Sequence, residues 1–378
     1  MTWDITGMGA VACNGTTPSE IFDALCAGRD GRGPLQVFDH DKYRARNAYE
    51  ITDRARPGVD EPGRATRWLI TAIDQALADA GHPRDLAEVP VLVGTTLQEQ
   101  RSAELWWRHG TTLDPADLHF GTALREEYGA ARTYTFANAC AASLYALAMA
   151  TDLIELGEAD TVVVAGTDAI GESAFGTLDR VQNDVPDALR PFDRSHRGML
   201  MGEGAVAVVL TRAAAPGRPV HARLRSVGVN CDARHSTAPD PEGITRVLRD
   251  AYRLAGAAPE EIDLVMLHGS GTPKNDSTEA AVLSRIFPPG SGPLMTAVKS
   301  MTGHTLGGSG LLSLTMAVLA LQRGQVPPVL GLTDPIEEAE DLRLVREHAA
   351  IAPQLTLAQV DAFGFGGINA AAILEAAR

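Results

Sequence analysis

The stretch FANACAASLYALAMATDLIEL, Phe136 to Leu156, joins a short β-prone run, Thr133 to Phe136, to a long Ala- and Leu-rich helical run, and Cys140 stands at the junction. Backbone N–H groups at a helix N-terminus lack partners and the macrodipole is positive there, so a thiol at that point is biased toward thiolate. A single cysteine is more often a small apolar packing residue. Cys140 becomes a candidate nucleophile only in company with two histidine-bearing turns far downstream. The helical run itself is apolar nearly all round, which predicts a buried central helix rather than an amphipathic surface one.

A second helix of the same kind, Leu311 to Leu321, follows the turn GHTLGGSG. Upstream of each, the chain repeats an order of helix, turn and strand. Leu77-Ala-Asp-Ala-Gly-His-Pro-Arg-Asp-Leu leads into a strand ending at Gly94, and the segment Ile244 to Gly269 contains the matching Leu-Ala-Gly-Ala-Ala-Pro-Glu-Glu-Ile-Asp and the strand Leu264 to Leu267. Two copies of one βαβ-containing unit account for this order, and imply an α/β fold with central helices between two sheets. Further strands are expected at residues 3 to 9, Val89 to Val93, Thr161 to Ala165, Ala205 to Leu210, Leu224 to Asn230 and Ala370 to Leu374. Pro18 opens a short helix for which Ser19 is the expected N-cap. Residues 28 to 63 read as an irregular connection, and Arg64 to Ala80 as a helix with an apolar stripe ended by Gly81.

Composition narrows the function. In 378 residues, 45% are hydrophobic and 21% charged, and Lys+Arg 33 against Asp+Glu 48 leaves a net charge of −15. That balance argues against nucleic acid or an anionic membrane as a general partner. Neither a basic N-terminal start nor a run of eighteen apolar residues is present, so a cytoplasmic protein is expected. Cys13, Cys26, Cys140 and Cys231 are scattered, which suggests neither a disulfide framework nor a metal site. Between Lys42 and Arg67, seven basic residues (Lys42, Arg44, Arg46, Arg54, Arg56, Arg64, Arg67) face four acidic ones, a local +3. Arg64 and Arg67 open a helix, where a cation opposes the macrodipole, and until a partner is named the patch reads as a solvated loop and helix face.

Three glycine-rich turns carry polar side chains: LHGSGTPKNDSTE (Leu267 to Glu279), VKSMTGHTLGGSG (Val298 to Gly310) and AFGFGGINA (Ala362 to Ala370). With ACAAS around Cys140 and RPFDRSHRGMLMGEGA from Arg190 to Ala205, they form an ordered set spanning nearly the whole chain. In this set the sequence resembles the β-ketoacyl synthases, elongating condensing enzymes of fatty-acid and type II polyketide synthesis within the thiolase-like superfamily. The resemblance implies two duplicated βαβαβαββ halves in a layered α-β-α-β-α architecture, with residues 1–212 carrying the cysteine and 213–378 the two histidines and the glycine loop.

Residue by residue, the resemblance makes Cys140 the acyl-accepting nucleophile and His268 and His304 the pair that binds and decarboxylates a malonyl unit. Lys299 and Glu279 resemble an ionic pair orienting the second histidine region. Phe365 resembles a gating aromatic whose backbone N–H, with that of Cys140, forms an oxyanion hole. Ser270 and Thr272 match hydroxyls that hold a phosphopantetheine arm, and Gly366 and Gly367 let backbone N–H groups approach the ligand. No bound cofactor is implied, since substrates ride on phosphopantetheine. An acyl carrier protein is the implied partner, and because such a carrier is acidic, Arg64 and Arg67 are its expected docking point. A homodimer, or a heterodimer with a homologous chain-length partner, is expected to cover the apolar strand Thr161 to Ala165 as a sheet edge.

The chemistry suits these residue types. Joining two thioesters by a carbon–carbon bond needs a nucleophile that keeps the acyl group activated, which sulfur does and oxygen does not. Loss of CO₂ leaves an enolate whose oxygen needs nearby N–H donors, and two imidazoles supply them. Departures from the family pattern are His196-Arg197 before Gly198, Ala362 before FGFGG, and Ser270. A thiolase is disfavoured because residues 361 to 370 hold no cysteine. A condensing-fold acyltransferase forming an ester or amide without decarboxylation is the second reading, and the chain could also be the active subunit of a heterodimer.

Overall fold

The computed structural model describes residues 2–54 and 59–377, so Arg56 lies outside the described residues. Ten strands form one continuous sheet: β1 (Trp3–Ala12), β2 (Val91–Gly94), β3 (Thr133–Phe136), β4 (Thr161–Asp168), β5 (Gly204–Thr211), β6 (Ala222–Cys231), β7 (Leu264–Met266), β8 (Leu294–Thr296), β9 (Leu357–Gly364) and β10 (Ile368–Ala376). Their order across the sheet is 8-7-9-10-6-1-5-4-2-3. Adding five to each label of the half 1-5-4-2-3 yields the half 6-10-9-7-8, so the duplication read from the sequence is realised strand for strand. Pairing directions repeat as well. β1–β5 and β4–β5 are antiparallel while β2–β4 and β2–β3 are parallel. In the other half β6–β10 and β9–β10 are antiparallel, and β7–β9 and β7–β8 parallel. The halves meet at a short antiparallel seam, Trp3 to Ile5 against Leu224 to Ala222.

The principal helices are α1 (Pro18–Cys26), α2 (Arg64–Ala80), α3 (Ala142–Glu155), α4 (Glu172–Val181), α5 (Pro241–Ala255), α6 (Pro273–Ile286) and α7 (Ser309–Arg323). Helix α2 covers β1, β4 and β5 from outside, and α5 covers β6 and β10 with α6 beside it. Between the halves lie α3 and α7, packed on each other and on strands of both halves. The result is the α-β-α-β-α layering of the thiolase-like fold. Every residue from Ser309 to Leu321 is buried, as its largely apolar surface predicts, whereas α3 exposes Met149 at mid-helix and Asp152 and Glu155 in its last turn.

Three local expectations are corrected. Thr17, not Ser19, caps α1: its hydroxyl accepts from the Glu20 N–H at 3.3 Å, because Pro18 takes the first helical position, where its missing N–H costs nothing. Strand β4, read as a sheet edge, lies between β2 and β5 in the interior. The edges are β3 and β8, and β3 presents a 44% exposed Tyr134. β9 was not expected from the sequence, because Gln359 and Asp361 interrupt its apolar run. Both are fully buried, and Gln359 Nε2 donates to the two Asp361 oxygens at 2.8 and 3.0 Å, so the polar positions satisfy each other inside the sheet.

Candidate active site

Cys140 sits in a one-turn 3₁₀ segment, Ala139–Ala141, between β3 and α3, and Ala139 adopts φ +59°. The equivalent turn of the second half, Leu306–Gly308, precedes α7, and its first residue, Leu306, adopts φ +49°. Positive φ in non-glycine residues is uncommon, and its recurrence at both turns marks them as products of one duplication under the same constraint.

His268 leaves the end of β7. Its turn is shaped by Glu279 on α6, whose carboxylate accepts the His268 N–H at 2.6 Å, the Gly269 N–H at 2.9 Å and Asn275 Nδ2 at 3.1 Å. This corrects the expected pairing: Glu279 organises the first histidine turn, and it interacts with Lys299 through space rather than through a closed ion pair. Burial pushes the Glu279 carboxyl up and the Lys299 ammonium down. His304 is clamped by the 190–205 stretch, donating its N–H to Leu200 O at 3.0 Å and accepting from Gly202 N–H at 2.9 Å. His196 ties the stretch to α6, its Nδ1 lying 3.1 Å from Asp276 Oδ2.

The two imidazoles stand edge to face, 5.4 Å between centroids. Nδ1 of His304 accepts the Leu306 N–H at 3.0 Å, so its proton resides on Nε2, which is buried and without a partner. An unsatisfied buried N–H is costly, and this one lies on a cavity-lining side chain where a ligand oxygen could accept from it. Burial and the nearby Lys299 charge hold both imidazoles well below their ordinary pKa, so both are neutral at pH 7.

Cys140 is 8% exposed, and burial pushes its thiol up to about 11 against the opposing pull of Lys299 and the Phe365 backbone N–H. The helix-terminus argument for a resting thiolate is thereby corrected: desolvation outweighs it, and the resting form is the thiol.

Three cavities meet at Phe365, a 44% exposed ring at the β9–β10 hairpin. The innermost, about 30 Å³, is lined by Cys140, His268, His304, Ser270 and Thr272. A channel of about 280 Å³ shares Thr237 and Thr272 with it and opens outward past Arg197 and Lys274. A largely apolar cavity of about 350 Å³ runs the other way from Cys140 past Leu97, Leu178, Met201 and Leu306. Ser270 and Thr272 hydroxyls pair at 2.8 Å. Gly366 and Gly367 do not line these cavities as expected. They adopt φ +83° and +76°, the Gly366 N–H donates to Ser236 O at 2.8 Å, and a Cβ on Gly367 would fall 2.1 Å from Asp232 Oδ1. Their role is to make the turn that places Phe365.

Arg64 is also relocated. It is 3% exposed, its guanidinium bonded to Asp53, Asp60 and Glu203 and stacked on Trp68. Arg54 is similarly enclosed by Glu50, Asp60 and Glu203, and Arg44 pairs with Asp179. Of the carboxylates that enclose these arginines, Glu203 and Asp179 are distant in sequence, while Glu50, Asp53 and Asp60 belong to the same stretch. Arg67 stays at the surface, 3.5 Å from Glu61. The four cysteines are free. Among the described residues no cluster could hold a metal ion, and no helix is long and apolar enough to cross a membrane.

Comparison with known proteins agrees with this geometry. The profile of the β-ketoacyl synthase N-terminal domain matches residues 4–215 and that of the C-terminal domain residues 221–333. The chain is 34% identical to 3-oxoacyl-[acyl-carrier-protein] synthase 2 of Rhizobium meliloti, covering 98% of both. It is 31% identical to the tetracenomycin polyketide synthase ketoacyl synthase alpha subunit of Streptomyces glaucescens, covering 98% of this chain and 96% of that one. Among solved structures, the ishigamide ketosynthase/chain length factor superposes with a TM-score of 0.90 at 32% identity, covering 100% of this chain and 99% of that one. With a profile spanning more than half its length and the duplicated architecture in place, the chain belongs to the β-ketoacyl synthase family.

Proposed function

We propose that this protein is a β-ketoacyl-acyl carrier protein synthase, joining an acyl thioester to malonyl-acyl carrier protein by decarboxylative condensation in fatty-acid or polyketide biosynthesis. The observation that carries this reading is a single cavity lined by Cys140, His268 and His304, with a buried, unpartnered Nε2–H on His304. In the first step the Cys140 sulfur displaces the carrier thiol, which leaves with the proton that Cys140 gives up. The Cys140 and Phe365 backbone N–H groups form the oxyanion hole. In the second step the malonyl carboxylate leaves as CO₂, and His268 and His304 stabilise the enolate oxygen. The enolate carbon attacks the acyl carbonyl, the C–S bond breaks, and the sulfur takes up a proton from solvent to restore the thiol. The apolar cavity beyond Cys140 receives the acyl chain, and the outward channel receives the phosphopantetheine arm, with Ser270 and Thr272 along it. Residues 1–212 thus supply the nucleophile and 213–378 the histidines.

The test pairs intact-protein mass spectrometry with CO₂ detection. Incubation with acyl carriers should add one acyl mass at Cys140, and malonyl carrier should then release CO₂ in step with β-ketoacyl product. Acyl transfer to an alcohol or amine with no malonyl-dependent CO₂ would replace this reading by a non-decarboxylating acyltransferase.

Carrier docking falls to the channel mouth instead of Arg64. Arg197 and Lys274 are exposed there, and neither forms a salt bridge among the described residues, while Asp184 is the one acidic group lining the channel. In a protein of net −15, two unpaired cations beside the channel suit an acidic carrier. Replacing both with Glu should raise KM for carrier-bound substrate about 10-fold, the scale of long-range charge steering, with pantetheine thioesters unaffected. The defect should shrink at high salt. Equal loss with both substrate forms would show that the pair supports the channel itself. The assembly is a homodimer or a heterodimer with a chain-length partner, formed across the exposed edge strand β3. The likeness to a ketosynthase/chain length factor supports the heterodimer.

A further inference from the structure

Asp168, the last residue of β4, is fully buried with no cation paired to it among the described residues, yet its carboxylate is densely bonded. It accepts the Thr96 N–H at 2.9 and 3.0 Å, the Leu97 N–H at 2.7 Å, the Thr95 hydroxyl at 2.8 Å and the Gly307 N–H at 2.7 Å. These donors come from two different walls of the site. Thr96 and Leu97 line the apolar cavity beyond Cys140, whereas Gly307 belongs to the turn whose Leu306 N–H fixes the His304 tautomer. Leu306 also lines that cavity, so one turn borders both the acyl chain and the imidazole. The walls touch directly: a Cβ on Gly307 would lie 2.3 Å from the Thr95 carbonyl carbon.

The duplication shows why a carboxylate stands there. The hairpin at the end of β9 brings the Phe365 N–H to the Cys140 turn, and the end of β4 brings Asp168 to the corresponding Leu306–Gly308 turn. One turn faces the cavity with a reactive thiol. Its counterpart is closed by an internal anion.

We propose that Asp168 is a positioning residue of the condensation, clamping the acyl-cavity wall at Thr96 and Leu97 to the turn that holds His304, so that the acyl seat and the imidazole keep one geometry. This inference rests on the condensing reading above. Asparagine at this position keeps the shape but turns an amide N–H₂ toward N–H donors, which pushes at least one wall away. A displacement of about 1 Å near reacting groups costs on the order of 100-fold in rate.

In the full-length protein, Asp168→Asn should therefore release CO₂ from malonyl carrier about 100-fold more slowly. Acetyl loading of Cys140, followed by mass, should remain within a few-fold of wild type, because the hydrogen bonds of Asp168 go to Thr95, Thr96, Leu97 and Gly307 and not to the Cys140 turn. Asp168→Ala should show the same split, and formate should restore part of its CO₂ release by filling the vacated carboxylate position, with no effect on Asp168→Asn. Unimpaired CO₂ release by Asp168→Asn overturns the clamp, as does parallel loss of acetyl loading and CO₂ release with no formate rescue of Asp168→Ala. A wild-type protein that loads Cys140 but never releases CO₂ overturns the condensing reading, and this inference with it.

Discussion

Replacing Cys140 with alanine is expected to lower condensation about 10⁴-fold or more, the scale on which loss of a nucleophile cripples a covalent enzyme. The acyl mass should disappear from the intact protein while the fold survives, because the change removes one sulfur from a small, cavity-facing turn. Cys140→Ser should be nearly as inactive. Burial already pushes the thiol up to about 11, and an alcohol, with a far higher intrinsic pKa, would start from a worse position in the same desolvated place. An ester on serine would also forfeit the activation that the thioester retains. Simple alkylation is a poor substitute for this experiment. Cys231 is exposed while Cys140 is buried and protonated, so iodoacetamide is expected to reach Cys231 competitively. Persistent acyl loading in Cys140→Ala would move the nucleophile elsewhere.

Replacing His304 with alanine is expected to reduce malonyl-dependent CO₂ release by about 10² to 10³, the typical effect of removing one donor to a developing oxyanion. Self-acylation should change only a few-fold, because neither backbone N–H of the oxyanion hole belongs to His304. The pH behaviour follows from the neutral imidazoles. Both histidines have folded pKa values well below the ordinary 6.5, through burial and the Lys299 charge. CO₂ release should accordingly show no inflection near pH 6.5. Stability carries the opposite signature. A group with a depressed folded pKa favours the fold above its unfolded value, and that contribution is lost as pH falls below about 6.5, where the unfolded chain binds the proton first. The wild type should therefore lose stability progressively below pH 6.5. A double His268→Gln, His304→Gln protein should show a shallower acid slope in denaturant titrations. Equal acid slopes for the two would mean that these imidazoles are solvated and their donors not reserved.

Much of the architecture was legible because its signals are local. β3, Thr133 to Phe136, was read to the residue, bounded as it is by a turn on one side and the Cys140 junction on the other. The buried helices announced themselves by having no polar face, and the duplication by repeating helix, turn and strand. Glycine-rich turns bearing His268 and His304 stood out because few structural needs put histidine and several glycines together. By contrast, β9 escaped because Gln359 and Asp361 satisfy each other in the tertiary structure, and a linear reading scores them as solvent-facing. Asp168 gave no signal at all, being an ordinary acidic residue at a strand end whose partners lie 71 to 139 positions away.

The sequence by itself determined the fold family and the two-half organisation, and it singled out the cysteine and histidines that the fold brings to one cavity, since each is written in short-range periodicity or in motifs of a few residues. Tertiary structure decided protonation and availability. Cys140 rests as a thiol because burial outweighs the helix terminus, and both imidazoles are neutral because burial and the Lys299 charge disfavour the imidazolium. Arg64 is lost to docking because Glu203, 139 positions away, and Asp53 and Asp60 enclose it, while Arg197 and Lys274 are left bare at the channel. Charge counts along a chain cannot register such pairings, because Coulomb energy and desolvation depend on distance and depth in space, and the fold sets both.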